Sequence, residues 1–306
     1  VTEAGRVPAL LRDAEALLAR AGIDSPGPDA LTLLAHAWSV PEQRVRRARL
    51  FDEEVPGPVH AAFAGLVERR RARVPLQHLT GTAHFRTLTL PVGPGVFVPR
   101  PETELVAEAA LAALAELLPA GEPARVLDLC TGSGALGLAL AAERPGTRAV
   151  GVEREATALA WARRSVAATA EELEAAGSVF LVEAGDAGDA EDVAGICART
   201  LGGPPHLVVS NPPYVLRDGT TTAPEAVVHD PAAALWGGGE DGLEVPSRVI
   251  TASAAVLAPG GILVMEHADV QGEGVRTLML EAGFADPCTR PDYTGRDRFT
   301  LAVRRA

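Results

Sequence analysis

Apolar positions recur along this chain with two different periods. In VPALLRDAEALLARAGI (7–23), Val7, Leu10, Leu11, Ala14, Leu17, Leu18 and Ala21 fall on one face at helical spacing. Gly22 stands where a helix C-cap would, and SPGPD (25–29) predicts a break after it. DALTLLAHAW (29–38) and VHAAFAGLVERRRAR (59–73) repeat the helical pattern, so residues 1–75 read as a small helical domain. From Pro75 the period shortens. HFRTLTLPV (84–92) alternates like a strand or hairpin, and GPGVFVPRPETE (93–104) is a stiff Pro/Gly segment leading into the helix ETELVAEAALAALAELL (102–118). Residues 76–100 thus read as a hairpin and linker.

Beyond residue 101 strands and helices alternate. RVLDLC (125–130), RAVGVE (148–153), SVFLVEA (178–184), HLVVSN (206–211), GGILVMEH (260–267) and RFTLAVRR (298–305) read as strands. Helices are predicted over 134–143, 155–170, 188–200, 246–257 and 271–282, with a long loop after HLVVSN. This alternation predicts an α/β domain over 101–306, a doubly wound and mostly parallel sheet.

VLDLCTGSGALG (126–137) places Gly132, Gly134 and Gly137 in G-x-G-x-x-G spacing between a strand and a helix, and Glu153 ends the next strand. Glycines let the backbone turn tightly against a ligand, and the carboxylate accepts ribose hydroxyls. The pattern signals a nucleoside-containing cofactor without separating a dinucleotide from S-adenosylmethionine. Asp128, in the lead-in, would face a cationic ligand better than a pyrophosphate; its other reading is a cap for the loop's own N–H groups. Asp186, in EAGDA, either accepts from an adenine amino group or simply makes a turn.

Asn211-Pro212-Pro213-Tyr214 ends the fourth strand, at the edge facing the cofactor crevice. The Asn211 side-chain oxygen and the Pro212 carbonyl can accept N–H donors from a nitrogen awaiting methylation. Two prolines fix the backbone between them, and Tyr214 offers a ring for stacking. Aimed acceptors stabilise positive charge that grows on the attacking nitrogen. A strand-ending turn is the plainer reading of these residues. Phe97 and Arg100 are candidates for the substrate-site wall, because Pro-rich loops beside a site often form one.

Composition narrows these readings. The chain has 306 residues, a hydrophobic fraction of 47% and a formal charge of −12. No apolar run approaches the roughly 20 residues of a membrane span, and the charged N-terminal stretch lacks a secretion signal's apolar core, which predicts a cytoplasmic protein. All 28 basic residues are arginine, which excludes lysine-dependent Schiff-base and P-loop chemistry. Residues 1–80 carry 11 Arg against 10 acidic groups, and residues 81–306 carry 17 against 30. That acidic body opposes stable nucleic-acid binding. Three scattered cysteines and histidines without ligand spacing predict neither disulfides nor a metal site. Arg69-Arg70-Arg71-Ala72-Arg73 reads either as a solvated helix end suited to the helix dipole or as a dock for an acidic partner face or ribosomal RNA. His267 and Trp161 read as structural, and Trp236 as part of a cover over the site.

The sequence resembles the HemK-type protein-(glutamine-N5) methyltransferases that modify class 1 peptide-chain release factors. The resemblance rests on PLQHLTG (75–81), PGVFVPRPETE (94–104), VLDLCTGSG (126–134), VVSNPPYV (208–215), DPAAALWGGGEDGLE (230–244), GGILVME (260–266) and TGRDRF (294–299). It implies a seven-stranded Rossmann-like class I methyltransferase domain using S-adenosyl-L-methionine, and a helical N-terminal domain that helps hold the release factor. The substrate would be the glutamine of a Gly-Gly-Gln motif. Cofactor contacts would fall to Cys130, Thr131, Gly132, Ser133, Gly134, Glu153, Asp186 and Ala187, with Asn211 alongside. Asn211, Pro212, Pro213 and Tyr214 would hold the glutamine amide, with Asn211, Pro212 and Tyr214 serving catalysis. No strong base is required. Three positions depart from the family pattern: Cys130 stands where glycine is usual, Glu153 where aspartate is, and Glu266-His267-Ala268 where Glu-Ile-Gly is frequent. Competing readings are glutamine methylation of a ribosomal protein, adenine-N6 methylation of nucleic acid, a nicotinamide dehydrogenase, and a cofactor-binding module without catalysis.

Overall fold

The first apolar stripe becomes a helix, α1 (Val7–Arg20), with Val7, Leu11, Ala14 and Leu18 buried. It lies in the first of two units into which the chain divides, one running through Thr82 and the other from Ala83. The computed structural model describes residues 5–119, 121–217 and 224–305.

In the first unit the short strands β1 (Gly5–Arg6) and β2 (Glu54–Val55) pair antiparallel. Helices α2 (Pro26–Trp38), α3 (Glu42–Leu50), α4 (Gly57–Arg71) and α5 (Leu76–Thr80) follow α1. The predicted break separates α1 from α2, but most of SPGPD belongs to α2, because a proline in the first turn of a helix has no N–H to lose. The pattern predicted no helix at α3: only Val45 and Ala48 are buried there, too few to mark a stripe. Two arginines of the 69–73 run act as staples. Arg70 meets the carboxylate of Asp29 at 2.7 Å, and Arg73 donates to the carbonyls of Ala21 and Gly22.

A hairpin, β3 (Thr82–Phe85) and β4 (Leu88–Pro91), comes next, then α6 (Thr103–Leu117), β5 (Arg125–Leu129), α7 (Ala135–Glu143) and β6 (Arg148–Glu153). The predicted 155–170 helix is α8 (Ala156–Ala168), followed by an unpredicted helix α9 (Ala170–Ala176), ahead of β7 (Val179–Ala184), α10 (Ala190–Thr200) and β8 (Leu207–Ser210). The long loop holds α11 (Pro224–His229) and α12 (Ala232–Leu235); its residues 218–223 lie outside the described residues. The chain continues through α13 (Glu244–Val256), β9 (Ile262–Glu266), α14 (Gly272–Glu281), β10 (Phe284–Pro291) and β11 (Asp297–Arg304).

Among the described residues one sheet has seven strands in the order β10-β11-β9-β8-β5-β6-β7. Strands β9, β8, β5, β6 and β7 run parallel, while β11 is antiparallel to β9 and β10 antiparallel to β11. Neighbouring residues of the central strands enter opposite cores: Val126 and Val209 pack with α6 and α7, Leu127 and Val208 with α10 and α13. Burial on both faces is why these strands read as unbroken apolar runs. The fold is therefore the doubly wound seven-stranded arrangement expected. Its seventh strand, β10, escaped the pattern: FADPCTRP carries two prolines, Asp286 sits at φ 51°, and the register shifts between Ala285 and Cys288. An edge strand tolerates all three. The strand order reverses beside β5, so the crevice for a ligand opens at the C-terminal ends of β5 and β8.

Candidate active site

The loop after β5 is built for close approach. Cys130 has φ 61° and Gly134, at the start of α7, has φ 86°. Both lie in the left-handed region that glycine adopts without steric cost. A Cβ on Gly137 would collide with the Phe180 ring of β7, which explains the third glycine of the fingerprint.

Asp128 serves the loop's own groups and also borders the cleft. Its Oδ2 accepts from the Thr131 hydroxyl at 2.5 Å and the Gly137 N–H at 3.0 Å, capping the loop. Its Oδ1 is buried without a hydrogen-bond partner, and the residue lines a cleft of about 1190 Å³, open mouth included. Burial pushes its pKa up to about 7, against the pull of the Thr131 and Gly137 hydrogen bonds. An orphaned carboxylate oxygen beside a cleft fits a ligand bearing positive charge.

Glu153, at the end of β6, lines the same cleft. Its Oε2 accepts from the Gly132 N–H at 3.0 Å and its Oε1 from the Glu155 N–H at 2.9 Å. Each oxygen keeps a lone pair for a ribose hydroxyl. Burial raises its pKa despite these N–H donors. Asp186 is committed on both sides: Oδ1 takes the Gly188 N–H at 2.9 Å and Oδ2 the Arg248 guanidinium at 2.8 Å. Burial pushes Asp186 upward, but Gly188 and Arg248 hold it below its ordinary value. Thr131, Gly132, Ser133 and Ala187 also line the cleft, as does Cys130.

The tetrapeptide faces this loop across the same cleft, which Asn211, Pro212, Pro213 and Tyr214 all line. Asn211 follows the last residue of β8, and its Nδ2 donates to the Thr103 hydroxyl at 3.3 Å. Thr103 in turn donates to Glu266 Oε2 at 2.7 Å, and the Tyr214 hydroxyl donates to Glu266 Oε1 at 2.9 Å. Burial, then the adjacent Glu266, hold the Tyr214 phenol well above its ordinary pKa. Burial also raises Glu266, with Thr103 and Tyr214 pulling the other way. Thr103 and Glu266 are functional candidates that sequence reasoning missed. The available signal was a polar residue closing each of two segments, ETE after the prolines and Glu266 after Ile262-Leu263-Val264-Met265.

Phe97 and Arg100 separate. Phe97 lines the cleft; Arg100 stacks over the Phe97 ring at 4.8 Å and pairs with Asp230 at 2.5 Å. Arg100 therefore backs the wall and ties it to the segment carrying Pro231 and Ala234, which also line the cleft. Trp236 makes an isolated bridge with Val215, next to the tetrapeptide. Trp161 donates to the Pro94 carbonyl at 3.2 Å and packs in a small core with Val92 and Val98, a structural role.

Residues 9–81 match the PrmC N-terminal domain family and residues 94–242 the methyltransferase small domain family. The release factor glutamine methyltransferase of Bifidobacterium longum is 40% identical over 299 residues, spanning 96% of this chain and 98% of the relative. That of Mycolicibacterium smegmatis is 43% identical over 301 residues, 98% of both chains. This chain belongs to the release factor glutamine methyltransferase family. A further relative, from Streptomyces pristinaespiralis, is 36% identical over 96% of this chain and 94% of its own, and is named a 4-amino-L-phenylalanine/4-methylamino-L-phenylalanine methyltransferase.

In this release factor glutamine methyltransferase family member, the three positions read from the sequence as departures from the family pattern each have a local account. Cys130 holds a left-handed backbone, the conformation that glycine adopts most easily. The longer Glu153 spans the N–H groups of Gly132 and Glu155 together. His267 is fully buried, donating from Nδ1 to the Ala268 carbonyl and accepting at Nε2 from Thr300; burial lowers its pKa, so it is a neutral structural group.

Proposed function

We propose that the protein transfers a methyl group from S-adenosyl-L-methionine to the side-chain amide nitrogen of the glutamine in the Gly-Gly-Gln motif of class 1 release factors. What carries this reading is the cleft shared by two sets of groups: the glycine loop with Glu153 and the free Asp128 oxygen, and the Asn-Pro-Pro-Tyr acceptors. The bound cofactor supplies an electrophilic methyl on a positively charged sulfur. Thr131, Gly132 and Ser133, which line the cleft, hold it by backbone approach, with Gly134 outside the lining as the left-handed turn into α7. Glu153 takes the ribose hydroxyls, and the Asp186–Ala187 turn borders the adenine.

Asn211 Oδ1 and the Pro212 carbonyl accept the two amide protons of the glutamine. The amide lone pair is delocalised into its carbonyl, so the nitrogen is a weak nucleophile and positioning carries much of the rate. As nitrogen bonds to carbon the two oxygens face growing positive charge, which they stabilise. The proton leaves to water. Tyr214 and Phe97 provide aromatic walls against the planar amide.

The helical unit through Thr82 holds the release factor, and its near-balanced charge suits a protein partner. No helix among the described residues is long and apolar enough to cross a membrane; the cytoplasm, where release factors work, is the location this substrate implies. A second reading comes from the Streptomyces relative, because the same acceptor pair would serve an aromatic amine. Incubation with methyl-labelled cofactor tests both. Label is expected in a release factor, absent when its glutamine is replaced, and absent from 4-amino-L-phenylalanine. Label in the amino acid and none in the release factor would overturn the proposal.

A further inference from the structure

Three sequence motifs contribute side chains to which no part in the reaction has been given: PRPETE, the GG-strand-Glu segment and the closing TGRDRF. They converge beneath the tetrapeptide. Thr103 comes from the first, Glu266 from the second and Arg298 from the third. Arg298 is held by Asp292 at 2.9 Å and adds positive charge near both Tyr214 and Glu266. Asp292 also takes the Thr294 N–H and hydroxyl and the Arg296 N–H, so the terminal turn is fixed around it.

Proton direction through this network follows once Glu266 is ionised, the state that, against burial, its two hydroxyl donors and the nearby Arg298 charge favour. The carboxylate then only accepts, so the hydroxyls of Thr103 and Tyr214 both spend their single proton on Glu266. The Thr103 oxygen then has only lone pairs left for Asn211. Of the two ends of the Asn211 amide, only the –NH₂ can satisfy it. The oxygen end is thereby turned away from Thr103, and flipping the amide would set oxygen against oxygen.

We infer that Thr103 and Glu266 are positioning residues that fix the Asn211 amide with its oxygen as the group offered to the substrate nitrogen. This rests on the proposed role of Asn211 as acceptor. Without the relay the amide could present its –NH₂ to the substrate, a donor facing a donor.

Thr103→Val removes the hydroxyl while keeping the shape, and Asn211→Ala calibrates the acceptor itself. Thr103→Val is expected to lower kcat for release-factor methylation by about tenfold or more, less than the roughly 10²-fold expected of Asn211→Ala. The KM for release factor and the Kd for S-adenosylhomocysteine should stay within about twofold of the parent, as for an interaction that matters in the transition state. Thr103→Ser should restore turnover. On the Asn211→Ala background, Thr103→Val should cost nothing further, because groups acting through one another are non-additive; a merely structural role would add its full factor. Should Thr103→Val not fold, Thr103→Ala carries the same expectations. Parental kcat in the Thr103 variant, or full additivity in the double variant, overturns the inference while leaving the acceptor reading intact. Near-normal turnover in Asn211→Ala would defeat the acceptor reading and this inference with it.

Discussion

Arg100 and Asp230 lie 130 residues apart in sequence and meet at 2.5 Å, with the Asp230 side chain fully enclosed. The pair links the Phe97 side of the cleft to the segment that starts at Pro231. Burial raises the Asp230 carboxyl, and Arg100 is the charge that offsets this. Arg100→Ala leaves that carboxylate without its cation and removes the stacking partner of Phe97. Exposed pairs contribute about 0–1 kcal/mol and breaking buried ones costs about 3–5 kcal/mol, so this half-buried case should cost about 1–3 kcal/mol. Urea unfolding reads that loss. Steady-state kinetics should place the functional effect in the KM for release factor, with cofactor affinity within about twofold.

Asp128 makes stability depend on pH. Its carboxyl titrates at about 7 in the folded protein against an ordinary 3.8. Below the ordinary value it is neutral folded or unfolded. Between there and about 7 only the unfolded chain ionises, so the folded state binds more protons and stability falls as pH rises through this window. Glu153 and Glu266, also raised by burial, act in the same direction. His206 and His267, held low by burial, act the other way. The Asp128 contribution is therefore read as a difference: relative to Asp128→Asn, the melting midpoint of the cofactor-free parent should fall between about pH 5 and about pH 8. A cationic ligand favours the carboxylate, so cofactor binding near pH 6 should release a proton. Calorimetry in buffers of different ionisation enthalpy should detect that release in the parent and a smaller one in Asp128→Asn.

Cys130 carries a side chain in the left-handed region. Cys130→Gly should relieve about 1 kcal/mol of backbone strain, less whatever packing the thiol contributes against the second core. The expected result is a higher unfolding midpoint with cofactor affinity unchanged, measured by urea titration with and without S-adenosylhomocysteine. A lower midpoint would mean the thiol's packing outweighs the backbone strain.

The parallel core was legible because its strands are buried on both faces and punctuated by glycine: RVLDLC, RAVGVE and HLVVSN need no partner to be recognised. What escaped was structure whose signal is not hydrophobic. Helix α3 buries two residues behind a row of arginines, and β10 depends on an edge position that excuses its prolines. The glycine-loop side of the cleft was readable from one loop and one carboxylate, since their spacing is set by a single β-α-β unit. The support of Asn211 was not. Thr103 and Glu266 lie 163 residues apart, and only folding discloses that a threonine at a helix start and a glutamate at a strand end share a proton. Arg100, expected beside Phe97 in the substrate wall, does not line the cleft: its cation faces Asp230, and Phe97 lines the cleft.

The most direct measurement is a crystal structure of the protein with S-adenosylhomocysteine and a peptide containing Gly-Gly-Gln. The account predicts the glutamine nitrogen within about 3.2 Å of both Asn211 Oδ1 and the Pro212 carbonyl, with the same nitrogen facing the cofactor sulfur. A glutamine bound elsewhere, or an Asn211 amide that turns its nitrogen toward the substrate, would contradict it.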